Sequence, residues 1–158
     1  MTQPKKKLFV LIRYGHIDEF DAVKELEKVL ARRKTAWFGK YGQPLSRDLE
    51  RIVASGKEDV TAILIRKGTG RGKESSGYQF QQFTVRKIAI SVPENHAEFP
   101  PYYLKLLPRI RSWIQVEAHS GPKVDLADLI TKSSAMPVVS SLSSSMRGHF
   151  LCRSRKRD

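Results

Sequence analysis

The sequence predicts an α+β domain: a small, curved, mostly antiparallel sheet or open β-barrel with flanking helices. Three observations carry that prediction. An apolar run, Leu8–Ile12, opens the chain after a basic tail. A helical periodicity follows it at once. From Val60 onward the pattern is mostly that of strands.

The continuous apolar run with β-branched residues at Leu8–Ile12 is the signature of a central buried strand. Tyr14-Gly15-His16 reads as a turn. Residues 17–33 then read as a helix, because Ile17, Phe20, Val23, Leu26 and Leu30 recur at three- and four-residue spacing. Acidic Asp18, Glu19 and Asp21 stand at its start and basic Arg32, Arg33 and Lys34 at its end, the distribution that a helix dipole favours. Residues 35–44 form a loop or short strand holding Trp37, Phe38 and Tyr41 between glycines. A second helix starts around Pro44–Asp48, buries Leu45, Leu49, Ile52 and Val53, and stops at Gly56.

Val60–Arg66 is a strand. Residues 68–77 hold Gly68, Gly70, Gly72 and Gly77 and read as a surface loop. Residues 78–92 suit one bent strand or two, 93–101 a Pro-containing connection, and 102–107 a turn or two of helix. Arg109–Ala118 alternates clearly, with Arg111, Trp113 and Gln115 on one side, so Trp113 is expected on a pocket rim rather than in the deep core. A short helix is expected over 125–132, and last strands at Val138-Val139 and His149–Arg153. Residues 1–7 and 154–158 are basic tails around one domain, 8–153.

Charge is the strongest functional signal. The 158 residues carry 29 Lys+Arg against 16 Asp+Glu, a formal net charge of +13. Part of the excess sits in the tails, but the body between them is also positive. The partners this favours are polyanions, DNA or RNA first. The single cysteine, Cys152, excludes an internal disulfide framework and a Cys-rich zinc site. It reads as a half-buried strand residue in a reducing, cytoplasmic setting. No stretch approaches the roughly 20 apolar residues of a membrane span.

Aromatic rings beside cations suit an unpaired base and its phosphates. The two tryptophans lie in such settings, so Trp37, Tyr41 and Trp113 are the candidate base-binding residues. Lys40, Arg66, Lys67, Arg71, Lys73, Arg86 and Arg111 are the candidate phosphate contacts. The run Arg66–Lys73 combines exposed backbone N–H groups with cations, yet lacks the ending of a Walker A loop. Ser144, Ser145 and His149 could floor a pocket. His16, His96, His119 and His149 show no metal-ligand spacing, so no metal or cofactor is expected.

The segment Trp37-Phe38-Gly39-Lys40-Tyr41-Gly42, the first apolar strand, the strand Thr61–Arg66 and the later Trp113 together resemble the PUA-like superfamily, in particular its EVE and YTH-type domains. The resemblance spans about residues 8–153. It implies a small open barrel whose aromatic cage accepts a flipped, modified base in DNA or RNA. It also implies a specificity module of a modification-dependent restriction system, with a nuclease or NTPase on a partner chain. A binding module fits the residues better than an enzyme. The alternatives are a small basic ribonuclease or toxin using a His general acid/base, and a non-specific RNA-binding module.

Overall fold

The computed structural model describes residues 5–14, 16–17, 20–41, 43–67, 78–119, 121–132, 135–138, 142 and 149–154. In chain order these form β1 (Lys6–Tyr14), β2 (His16–Ile17), β3 (Phe20–Asp21), α1 (Ala22–Leu30), β4 (Ala36–Tyr41), α2 (Arg47–Ser55), β5 (Glu58–Arg66), β6 (Phe80–Ala89), β7 (Ile110–Ala118), β8 (Leu129–Thr131) and β9 (His149–Ser154). Short 3-10 turns cover His96–Glu98, Pro101–Lys105, Leu107–Arg109 and Leu126–Asp128. Seven strands make one open sheet in the order β4-β7-β6-β5-β1-β9-β8. Among the described residues only β1 and β5 pair in parallel; the other neighbours are antiparallel. The α+β, mostly antiparallel reading therefore holds.

Local chemistry decides where the helices begin. The expected helix over 17–33 is shorter, because Ile17 pairs with Phe20 in a two-stranded hairpin. Asp21 then caps α1, its carboxylate accepting from Val23 N at 3.0 Å and Lys24 N at 3.2 Å. Ser46 caps α2 through Leu49 N, and Gly56 ends it in the left-handed conformation, φ 68°. The helix expected over 125–132 is instead a 3-10 turn followed by β8, whose alternating Leu129 and Thr131 are buried against β9.

The sheet is covered on both faces. On one, Leu8, Val10 and Ile12 of β1 and Val60, Ala62 and Leu64 of β5 pack with Val23, Leu26 and Val29 of α1 and Leu49 of α2. The opposite face carries two separate apolar clusters. Phe9, Leu11, Ile63, Ile65, Phe150 and Cys152 meet Leu126, Leu129, Val138 and Leu142 at the β1–β9 side. Trp37 and Trp113 meet Phe99, Tyr103 and Ile110 at the β4–β7 side.

Cys152 is completely buried rather than half-buried, since it faces this second side between Phe9 and Thr131. Burial pushes its thiol up to about 12. A thiol reagent near neutral pH should therefore label denatured protein fast and native protein only as fast as β9 opens. Rapid labelling of the native state would contradict this packing.

Candidate functional site

Two features of the second face offer chemistry: the aromatic cluster at the β4–β7 side and a gap in the middle of the sheet.

The cluster is built by strand register. Gly39 of β4 faces Trp113 of β7, and Trp37 faces Gln115, so both tryptophans project from the same face. Trp113 is completely buried, with Phe99 at 5.1 Å and Tyr103 edge-on at 5.6 Å between centroids. The expectation of a rim position for Trp113 is thereby corrected. Its polar strand neighbours did mark one face, but the 3-10 segment over 96–109 folds across it and supplies the covering rings.

Gly39 keeps that approach close. A Cβ there would lie 2.9 Å from Ile110 Cδ1 and 3.0 Å from Ile110 Cγ2. Gly39→Ala should cost about 1–3 kcal/mol by overpacking, measured by urea denaturation. A neutral result would mean that Ile110 moves aside freely.

Above this floor lies a half-exposed rim. Tyr41 is half-buried, and Tyr102 stacks on Phe20 at 4.8 Å with 7° between planes, both rings half-buried. Burial raises the pKa of Tyr41, with the neighbouring Tyr102 adding to it and Arg109 opposing. Burial raises Tyr102 as well, with the Tyr103 hydroxyl beside it opposing and Glu25 and Asp21 adding. The hydroxyls of Tyr41, Tyr102 and Tyr103 and the indole Nε1 of Trp113 are buried polar atoms that meet no partner at good hydrogen-bond geometry among the described residues. Tyr103's hydroxyl leans only toward Tyr102 and the Gly39 backbone. Since the Tyr102 and Tyr103 hydroxyls neighbour each other, Tyr41 Oη and Trp113 Nε1 are the two atoms of this cluster that stand without a hydrogen-bonding neighbour among the described residues, and each costs about 1–3 kcal/mol when left unmatched.

Cations stand around the rim. Lys40 is buried, and its ammonium donates to the carbonyls of Tyr41, at 3.2 Å, and Gln43. Burial first, and Lys67 second, pull its pKa down. Lys40 is thus a structural cation that braces the loop after β4. Lys67 is exposed beside it, and its N–H donates to Tyr14 O at 2.7 Å, fixing the ends of β1 and β5 together. Arg66 is half-buried near Gln79. Arg111 is exposed on β7, next to the register shift at Lys40/Tyr41. Half-buried His149 lies across from Ile12 at the same end of β1. Arg71, Lys73, Ser144 and Ser145 lie outside the described residues. Phe20, Phe99, Tyr102 and Tyr103 escaped the sequence reading, although the Pro-Pro-Tyr-Tyr run at 100–103 was an available signal.

Arg86 belongs to the second feature. The β5–β6 ladder ends at Thr61 opposite Thr84. Beyond that pair β5 stays with β1, while a bulge at Arg86 keeps β6 with β7. The sheet forks. A cleft of about 550 Å³ occupies the fork, lined by Thr61, Gln82, Thr84 and His119 among others. Arg86 is exposed and paired with Glu117, whose carboxyl it holds below the usual range through that hydrogen bond.

Compared with known proteins, the chain matches no family model, no curated protein and no solved structure. Among the described residues no helix is long and apolar enough to cross a membrane, and no three His, Cys, Asp or Glu side chains converge as metal ligands.

Proposed function

We propose that the chain is a non-catalytic nucleic-acid reader that takes an unpaired base on the rim formed by Tyr41, Tyr102 and Phe20, above a floor of Trp37 and Trp113. One observation carries the reading: among the described residues, buried polar atoms without good partners collect in the aromatic cluster, with Arg109 beside Tyr41 and Lys67 beside Lys40. Rings offer stacking, worth about 1–3 kcal/mol per base. The hydroxyls of Tyr41 and Tyr102 are buried in the free protein, so they supply hydrogen bonds to a base edge only when the half-buried rings turn outward to meet it. Exposed cations hold the flanking phosphates and give the complex a steep salt dependence.

The PUA-like resemblance makes the base a flipped, modified one and the chain a specificity module whose nuclease or NTPase is a separate partner. The open, curved sheet with a tryptophan on β4 is compatible with that reading. Fluorescence anisotropy with single- and double-stranded DNA and RNA, with and without methylated bases, at two salt concentrations, tests it. Tight binding of one modified strand supports a modified-base reader. Equal binding of every strand, insensitive to Tyr41→Ala and Tyr102→Ala, refutes it.

A further inference from the structure

We infer that the fork between β5 and β6 is a second binding site, for a nucleoside monophosphate unit, either free or at the end of a strand. The inference does not depend on the aromatic rim.

The site is made by the topology. Where β5 and β6 part below Thr61 and Thr84, each strand keeps only its outer neighbour, so two strand edges face an open gap. The gap opens between Thr61, Gln82 and Thr84 and reaches Val60 and Val85 of the first-face core, so its wall is part polar and part apolar. Thr84 Oγ1 and His119 Nδ1 are 3.3 Å apart, so the imidazole is anchored at the gap. Gly121 permits this placement, since a Cβ there would come within 3.0 Å of His119 Nε2. Gln82 is buried, and its carbonyl oxygen accepts Val124 N–H, which leaves its amide nitrogen to donate.

The charges around the gap select an anion. Lys5, Lys7 and Lys123 line it and form no ion pair among the described residues. Lys123 lies 4.2 Å above the Phe80 ring. Two carboxylates nearby are already committed: Glu58 to Arg153 at 2.9 Å, and Glu117 to Arg86. Asp59 remains at the gap for a sugar hydroxyl or a base amino group. Phe9, Val60 and Val85 give the same cleft apolar surface for a heterocycle. Its volume of about 550 Å³ is more than a bare phosphate fills and falls in the range of small-molecule sites. Cations, hydrogen-bonding groups and apolar wall together match a nucleotide better than an inorganic anion or an apolar ligand.

Isothermal titration and NMR shift mapping test this with the four ribonucleoside monophosphates, their nucleosides and a phosphorylated trinucleotide. At least one monophosphate should bind about tenfold more tightly than its nucleoside, shifting Thr61, Thr84 and His119. Lys7→Gln and Lys123→Gln, both on exposed side chains, should each weaken it by about tenfold. Tyr41→Ala should leave it unchanged, which separates this site from the rim. Preference for the free nucleotide assigns a small-molecule ligand; preference for the trinucleotide assigns a strand end. A folded protein that binds no monophosphate, binds nucleoside equally well, or ignores both lysine substitutions overturns the inference.

Discussion

Trp113→Ala should destabilise the protein by about 3–5 kcal/mol. That is a large share of a domain's total of about 5–15 kcal/mol. Trp113 is completely buried, and it packs against Phe99 and Tyr103. Each such ring pair adds about 0.5–1.5 kcal/mol beyond simple burial. Removing the indole also loosens the 3-10 segment over 96–109, because Phe99 and Tyr103 of that segment pack on it. Trp113→Phe should cost much less, since a ring still fills the space between Phe99 and Tyr103 and the indole N–H has no good partner to lose among the described residues. Urea denaturation of both variants measures this. A loss below about 1 kcal/mol for the alanine would show that the cluster is not the keystone of the β4–β7 side.

Tyr41→Ala and Tyr102→Ala should act in the opposite manner. Each should leave the fold largely intact, because both rings are half-exposed, and each should weaken nucleic-acid binding by about 1–3 kcal/mol. Tyr41→Phe separates stacking from hydrogen bonding. Its hydroxyl has no good partner among the described residues, so its removal should not destabilise the fold. A drop in base preference with unchanged stability would place that hydroxyl on the base edge. Unchanged binding in all three variants would remove the rim from the account.

Much of the fold was legible because burial leaves periodic marks. Leu8–Ile12, Val60–Arg66 and the alternation around Trp113 named strands that the structure contains. Helix ends were less legible. Ile17 and Phe20 matched helical spacing, yet they pair in a hairpin and Asp21 takes over as cap. The weak propensities of residues 125–132 yielded to pairing with β9. At the candidate site, aromatic composition pointed to Trp37, Tyr41 and Trp113 as residues of one place, and strand register does bring them together. The sequence did not separate floor from rim, because that depends on a segment arriving from residues 96–109. Nor did it disclose the fork, which exists only where two strand pairings end at different positions.

The most direct test of the reader account is anisotropy titration of one modified single strand, at two salt concentrations, with the natural protein, Tyr41→Ala and Tyr102→Ala. The account predicts salt-sensitive binding in all three, weakened by about 1–3 kcal/mol in each variant at either salt. Identical affinities for the three proteins would contradict it and leave charge alone as the basis of binding.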